Sequence, residues 1–350
     1  MVKPASSKCN FSCSYCFYKD VASHREQRSS AVMSESTAEK LIEKALDFAD
    51  GCAVSFMFQG GEPTLAGIDY FKFFTRRVKE KNIKNSPIYY GIQTNGSSCG
   101  DEWIRLFKEN GFLVGLSLDG DEQANRYRKK SGENSFDAVM NVARTFEEGG
   151  VEFNILSVLT AENARNGKRI YNFFKSEGFG YLQFIPCLKP FDGDDSGMCM
   201  NADDYAVFLC EVFPLYVSDF KSGKYISVRQ FDNWVRLYLG QRAEQCGMEG
   251  FCSHQFVCES DGKIYPCDFD CTDEYLLGNI LTDGLKDMAY SDTAKRFITE
   301  SYKVPDRCKK CEYYRLCRGG GCKRERLSAD YCSAYKRFFG ECLKLFRAFD

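Results

Sequence analysis

The run KCNFSCSYCFY at positions 8–18 constrains this chain more than any other stretch. Cys9, Cys13 and Cys16 stand there at Cys-x3-Cys-x2-Cys spacing. Three thiolates so close in sequence can hold one iron–sulfur cluster, as short cysteine runs do in ferredoxins. A [4Fe–4S] cluster bound by three thiolates keeps one iron without a protein ligand. An open coordination position marks chemistry, whereas a closed one marks structure or electron transfer. Tyr15 and Phe17 flank the third cysteine and would shield such a cluster from water. The spacing also suits a zinc knot short of its fourth ligand, or free cysteines in a loop.

The chain carries 19 cysteines in 350 residues, which raises the question of redox setting. A secreted disulfide scaffold is normally short and opens on a signal peptide. The N-terminus MVKPASSKC has no apolar h-region. No stretch approaches the roughly 18 uninterrupted apolar residues of a spanning helix. The expectation is a reducing cytoplasm, no membrane, and thiols kept for metal. A formal net charge of −2 gives no global reason for a nucleic-acid or anionic-membrane partner.

From about residue 34 to 186, helix-like and strand-like segments alternate. Ser34 reads as the cap of a helix to about Phe48, with Ala38, Leu41, Ile42, Ala45 and Leu46 on one face. Strands are expected at 53–59, 88–94, 112–118, 153–159 and 181–188, and helices near 67–81, 101–109, 136–148 and 164–176. A short strand before Ser6 would complete six βα-like units. Such alternation argues a parallel sheet with crossover helices, of doubly wound or barrel form. Chemistry then collects at the C-terminal ends of the strands. Gln59-Gly60-Gly61-Glu62-Pro63, Gln93-Thr94-Asn95-Gly96 and Ser117-Leu118-Asp119-Gly120 all fall there. Residues 190–200 read as a loop and a domain boundary, followed by helices near 203–220 and 228–239.

From Cys246 the texture changes to short segments crowded with cysteine. Cys246, Cys252 and Cys267 come first, then Cys308, Cys311, Cys317, Cys322 and Cys332. These eight suffice for two sites of four thiolates each. The remaining Cys52, Cys99, Cys187, Cys199, Cys210, Cys258, Cys271 and Cys342 read as small buried apolar residues. A pair of zinc ribbons is the competing reading of this third, because Cys-x2-Cys is also a zinc spacing. Lys309, Lys310, Arg315, Arg318, Lys323, Arg324 and Arg326 would suit a nucleic-acid ribbon, but equally the charge of a thiolate cluster or an acidic electron donor.

The first cysteine run, with an aromatic just before Cys16, resembles the signature of the radical S-adenosylmethionine (SAM) enzymes. The C-terminal third resembles their SPASM extension, which binds two auxiliary [4Fe–4S] clusters. That likeness implies a partial (β/α)6 TIM-like radical SAM barrel over 1–190, a helical linker over 191–245, and a small cysteine-rich SPASM domain over 246–350. It implies three [4Fe–4S] clusters: one on Cys9, Cys13 and Cys16, one on Cys246, Cys252, Cys267 and Cys322, one on Cys308, Cys311, Cys317 and Cys332. This chain has four residues between Cys317 and Cys322 where the family usually has three. RGGG suggests an inserted glycine absorbed as a local bulge.

Over nearly its whole length the chain is similar to the anaerobic sulfatase-maturating enzymes. The stretches carrying this are KPASSKCNFSCSYCFY (3–18), FQGGEPTLAG (58–67), QTNG (93–96), FLVGLSLDG (112–120), VEFNIL (151–156) and ESDGKIYPCDF (259–269). The resemblance implies oxidation of a sulfatase cysteine or serine, in an unfolded or nascent Cys/Ser-x-Pro-x-Arg segment, to Cα-formylglycine. Gly60, Gly61 and Glu62 would meet the SAM amino group through their backbone, Asn95 and Ser117 the ribose, Arg128 the carboxylate, and Ile185 the adenine. A guanidinium binds carboxylate in a fork, although Arg128 also sits in a run of charges with Arg126, Lys129 and Lys130. Asp268, beside Cys267, would be the base; Tyr18 and Gln59 would face the substrate. A flavodoxin or ferredoxin would supply electrons.

The runner-up is a SPASM enzyme that crosslinks a ribosomally made peptide. Such enzymes often carry an N-terminal leader-binding domain, for which the eight residues before Cys9 leave no room. The non-enzyme reading is a zinc-ribbon nucleic-acid adaptor.

Overall fold

A computed structural model of the chain describes residues 1–26, 31–193 and 197–350. Within the loop expected at 190–200, positions 194–196 lie outside the described residues. The chain divides into two compact units, each assembled from separated segments. The first comprises Met1–Ser117, Arg128–Phe153 and His254–Phe297; the second comprises Leu118–Tyr127, Asn154–Ser253 and Ile298–Asp350.

Strands β1 (Val54–Phe58), β2 (Ile88–Thr94) and β3 (Phe112–Ser117) are followed by a small hairpin, β4 (Lys129–Lys130) with β5 (Glu133–Asn134). Then come β6 (Phe153–Leu159), β7 (Tyr181–Pro186) and β8 (Ser227–Val228), and last β9 (Val257–Cys258), β10 (Lys263–Tyr265) and β11 (Gly278–Asn279). The parallel strands run in the order β1-β2-β3 in the first unit and β6-β7-β8 in the second. In the first unit β1–β2 and β2–β3 run parallel, with Phe56 opposite Tyr90 and Tyr90 opposite Phe112. In the second, β6–β7 and β7–β8 run parallel, with Ile155 opposite Leu182 and Leu182 opposite Val228. The α/β expectation holds, with one exchange. The short strand expected before Ser6 is only a pair of single bridges, from Val2 to Phe58 and to Cys258. The sixth strand is instead β8, a two-residue segment expected as loop and helix start.

Side-chain alternation shows why the first unit packs as it does. Phe56 and Phe58 are buried on one face of β1, while Met57, Tyr89 and Leu113 are exposed on the other. Successive strand residues face opposite sides, so the helices cover only one of them. The buried face meets Phe71 and Phe74 of helix Ile68–Lys81 and, through Phe71, Trp103 of helix Asp101–Asn110. Helix Glu35–Ala49 begins where expected, its first turn capped by the Ser34 hydroxyl accepting the Thr37 N–H at 3.1 Å.

The second unit is built on helix Ala202–Lys221 packed against helix Cys332–Cys342, with Phe208, Phe213, Phe231, Trp234 and Phe338 between them. The helix expected at 164–176 is broken into Ala161–Arg165 and Gly167–Ser176. Gly167 lies under the Phe208 ring, which a Cβ would meet at 2.5 Å. Among the described residues, no helix is long and apolar enough to cross a membrane.

The spare cysteines only partly follow expectation. Cys99, Cys187, Cys258, Cys271 and Cys342 are buried, but Cys199 and Cys210 are half-buried and Cys52 is exposed. Cys52 lies in the turn leading into β1, where no packed face claims it.

Candidate active site

The loop carrying Cys9, Cys13 and Cys16 is held by backbone bonds from three neighbours. The Gly61 N–H donates to the Ser6 carbonyl at 2.7 Å and the Glu62 N–H to the Lys8 carbonyl at 2.8 Å. The Ser12 N–H donates to the Lys129 carbonyl at 2.8 Å, beside a bridge from Phe11 to Lys130. The Asn95 amide donates to the Asn10 side chain at 2.9 Å and reaches the Cys9 sulfur at 4.0 Å. The sequence reading explained Gly60 and Gly61 by close approach of SAM. The structure gives them a nearer reason, the cysteine loop itself. A Cβ on Gly61 would stand 2.2 Å from the Lys8 carbonyl oxygen, and one on Gly60 2.8 Å from that of Ser6. Gly60 also takes φ +127°, which side chains disfavour. The Gly61 and Glu62 N–H groups are thus both spent on the loop.

Gly61→Ala should therefore destabilise the protein by about 1–3 kcal/mol, because the obstacle is backbone that cannot swing aside. Gly180→Ala, where a Cβ meets nothing within 4 Å, is the comparison. Denaturant midpoints of the two variants measure the difference.

Glu62 is buried, and its carboxylate is fully engaged. One oxygen accepts the Thr64 N–H at 3.1 Å, the Thr64 hydroxyl at 2.6 Å and the Thr94 hydroxyl at 2.7 Å; the other accepts the Asn95 N–H at 2.8 Å. Its side chain thus locks the segment after β1 to the segment after β2. Gln59 and Ser117 are half-buried at the ends of β1 and β3. Arg128 is buried, its guanidinium 5.5 Å from the centre of the Tyr15 ring, whereas Lys129 and Lys130 are exposed. Arg126 pairs with Glu162. Arg128 is therefore set apart from the charge run that surrounds it. Ile185 is half-buried on β7, opposite Val158, in the second unit.

Asp268 sits in a buried network that motif reading missed. Lys3 is 0% exposed and pairs with Asp268, with Glu259 at 3.8 Å beyond it. Its ammonium stands 3.6 Å from the centre of the Tyr18 ring. The Tyr18 hydroxyl donates to Glu259 at 2.6 Å, as does the Arg25 guanidinium at 2.9 Å, and the Ser6 hydroxyl donates to the other oxygen at 2.6 Å. Burial alone would neutralise these groups. It works against the Lys3 ammonium, yet Asp268, Cys271, Tyr18 and Glu259 together hold its pKa well above the ordinary lysine value. Burial likewise works against the Glu259 carboxylate, and Lys3 and Arg25 overcome it, lowering the pKa. Tyr18, expected to face the substrate, is 2% exposed with its hydroxyl on Glu259. Glu259 stands in sequence as one acid after an apolar pair, and only its partners reveal it.

The C-terminal cysteines gather in two sets in the second unit. Cys308, Cys311, Cys317 and Cys332 line one cavity, together with Arg307, Tyr313, Tyr314, Tyr335 and Lys336. Burial first, then Cys308, Cys332 and Cys311 against the Gly319 N–H, push the Cys317 thiol up to about 12. Cys246, Cys252 and Cys322 form the other set: the Cys322 thiol is held well above its ordinary value by burial first, with Glu325, Cys252 and Cys246 adding. Cys9 behaves likewise, pushed up to about 12 by desolvation and then, against the Phe11 N–H, by Glu62, Cys13 and Cys16. Cys267 is half-buried in the first unit, directly before Asp268. Sulfurs crowded this way favour their thiolates only where a cationic group lies among them. Such all-thiol donor sets fit iron–sulfur clusters. Among the described residues no three His, Cys, Asp or Glu side chains converge as on a single metal ion. The fit to the larger group rests on the donor chemistry and on the cavity.

The inserted glycine is not a one-residue bulge. Arg318, Gly319, Gly320 and Gly321 all take positive φ, of 49°, 95°, 88° and 91°. A Cβ on Gly321 would meet the Glu325 carboxylate at 2.3 Å, and one on Gly319 would meet Val304 at 2.7 Å. The whole run delivers Cys322 to its capping box with Glu325. Deleting Gly320 should consequently lower iron content about as much as Cys322→Ala. Iron analysis of both variants checks this.

Of the basic residues around these cysteines, several are committed internally. Arg324 is buried and donates to the Lys189 carbonyl at 2.6 Å; Lys323 pairs with Glu300 at 2.7 Å; Arg326 donates to the Ser301 carbonyl at 2.6 Å. Lys309, Lys310 and Arg315 are exposed, Lys309 bonded to Asp306 at 2.5 Å.

Comparison with known proteins agrees with this geometry. Residues 4–174 match the radical SAM superfamily, and residues 250–312 match an iron-sulfur cluster-binding domain. The chain is 40% identical to a cysteine-type anaerobic sulfatase-maturating enzyme of Clostridium novyi, over 97% of this chain and 93% of that protein. It is 31% identical to a serine-type enzyme of Bacteroides thetaiotaomicron, over 97% of this chain and 88% of that one. The solved structure of native anSMEcpe with bound AdoMet superposes with a TM-score of 0.93 at 39% identity, covering 99% of this chain and 97% of that one. The same protein with bound AdoMet and a Cp18Cys peptide gives a TM-score of 0.92, again at 39% identity over 99% of this chain and 97% of that one.

Proposed function

The chain belongs to the anaerobic sulfatase-maturating enzymes of the radical SAM superfamily, and from that membership we infer that it oxidises a sulfatase cysteine or serine to Cα-formylglycine. Three [4Fe–4S] clusters fit its cysteines: Cys9, Cys13 and Cys16; Cys246, Cys252, Cys267 and Cys322; and Cys308, Cys311, Cys317 and Cys332. When bound, SAM and the clusters supply one-electron chemistry at a substrate C–H bond and an outlet for the second electron.

The observation that supports this reading is the stitching of the three-cysteine loop to Gly61, Glu62 and Asn95 within one unit, the arrangement a cluster beside SAM would need. Gly60 and Gly61 offer carbonyl oxygen to the SAM amino group, held in place by the fully engaged Glu62. Asn95 and Ser117 serve the ribose, buried Arg128 the carboxylate, and Ile185 the adenine. Fixing these contacts in advance is what the protein contributes to the rate. Asp268 accepts the thiol or hydroxyl proton, and Gln59 lines the approach of the peptide. Tyr18 acts through its ring and its bond to Glu259.

The substrate segment is an unfolded or nascent Cys/Ser-x-Pro-x-Arg stretch, in the cytoplasm. Exposed Lys310 and Arg315, near the third set of cysteines, suit an acidic electron donor such as flavodoxin or ferredoxin better than nucleic acid. Anaerobic incubation with SAM, reductant and a synthetic peptide bearing that motif tests the reading. Loss of two hydrogens at the target serine, or conversion of cysteine to the aldehyde, is the mass-spectrometric signature. Deoxyadenosine formation with the peptide unchanged would overturn it.

A further inference from the structure

Cys187 and Cys199 belong to none of the three cysteine sets, yet their sulfurs stand 3.4 Å apart. Their meeting is arranged by backbone. The Cys187 N–H donates to the Leu159 carbonyl at 3.0 Å, continuing the β6–β7 ladder. Cys199 bridges Thr160 in antiparallel fashion, and the Ala161 N–H donates to the Met198 carbonyl at 2.8 Å. Both cysteines are therefore fixed on the same end of β6. Just beyond Cys187, the Lys189 carbonyl accepts from Arg324, whose guanidinium also stands 4.1 Å from the centre of the Phe191 ring. Beyond Cys199, the Met200 carbonyl accepts from the Tyr331 hydroxyl at 3.4 Å. Closing the pair to a covalent S–S bond requires the sulfurs to approach by about 1.4 Å.

We propose that Cys187 and Cys199 are a dithiol modification site, oxidised reversibly to an intramolecular disulfide by a small disulfide such as oxidised glutathione. Accessibility sets the order of events, because Cys187 is 3% exposed and Cys199 half-buried. The Cys199 thiolate attacks one sulfur of the oxidant and releases one glutathione thiolate. The Cys187 thiolate then attacks the Cys199 sulfur of the mixed disulfide and releases the second. Two electrons pass to glutathione, and the two protons lost by the protein thiols end on the two glutathione thiolates. The product is a disulfide between Cys187 and Cys199, formed without any of the cysteines assigned to a cluster.

The test uses the iron-loaded holoenzyme, treated anaerobically with oxidised glutathione, then alkylated and cleaved at Asp192. That site lies between the two cysteines, so a disulfide appears as a linked pair of peptides. Exposed Cys52 reports that the oxidant has reacted. The Cys187–Cys199 link should exceed any link to Cys99 or Cys258 by at least about ten-fold, with iron content unchanged and full reversal by a thiol reductant. Cys199→Ser should leave Cys187 unmodified, as its burial demands. Glutathione retained on Cys199 without a link, or both thiols unreacted when Cys52 is fully modified, overturns the proposal. So does a link that forms only as iron is lost.

Discussion

Cys9, Cys13 and Cys16 replaced together by alanine should abolish SAM cleavage and leave the rest of the iron in place. The variant should fold, because most bonds that shape the loop are backbone contacts, with only the Phe11 N–H and Asn95 amide reaching the Cys9 sulfur. Gly61 to Ser6, Glu62 to Lys8 and Ser12 to Lys129 are backbone contacts that alanine retains. The expected iron loss is about four of about twelve per chain, one cluster's worth. Deoxyadenosine production should fall to background. Cleavage that persists in this variant would mean the open-iron cluster is held elsewhere.

The second large effect concerns Asp268. Removing a general base typically lowers a rate by about 10²–10⁴, so Asp268→Asn should reduce formylglycine at least about 10²-fold while SAM cleavage continues. The structure complicates this substitution, since Asp268 is also the partner of the buried Lys3 ammonium. Taking one member from a buried ion pair costs about 3–5 kcal/mol, because the other charge is stranded. A lost base and a stranded lysine would look alike in activity alone. The double variant Asp268→Asn with Lys3→Met separates them by removing both charges. If Asp268 serves as base, the double variant recovers stability and iron but not formylglycine. If Asp268 only holds Lys3, formylglycine returns with the stability. Mass spectrometry of the peptide, thermal denaturation and iron content together give the answer.

Legibility from sequence followed the range of the forces involved. Strands β1, β2, β3, β6 and β7 were readable because each is a local apolar run between turns, and the helices because their apolar faces repeat within a few residues. The cysteine sets were readable because iron ligands sit at short spacings. What stayed hidden was set by partners far along the chain. Glu259 is one acid among 49 acidic residues until Tyr18, Arg25 and Ser6 are seen to converge on it from 241, 234 and 253 positions away. The two-residue β8 is too short to carry a period. Gly61 was recognised as significant, but its crowding neighbour is the Lys8 carbonyl, a backbone atom that no residue-type pattern displays. The left-handed run through Gly321 was read as one spare residue because spacing counts positions and says nothing of φ.

The convergence on Glu259 has a consequence for how the protein is made. The first unit cannot close until its last segment, His254–Phe297, has been synthesised, although the cysteine loop is among the first residues to emerge. At about 5–20 residues per second, residues 3–25 would wait roughly 10–50 s for Glu259 and Asp268 to appear. Through that interval Lys3 and Arg25 lack the carboxylates that make their burial favourable. The interval also puts Cys9, Cys13 and Cys16 on a nascent chain without the enclosure that residues 254–297 help to form. Iron delivery to this loop is thus best timed after residues 254–297 have emerged. A chain stopped near residue 250 should expose the loop to oxidation and proteolysis, even though every residue of the loop and of β1 to β8 is already present.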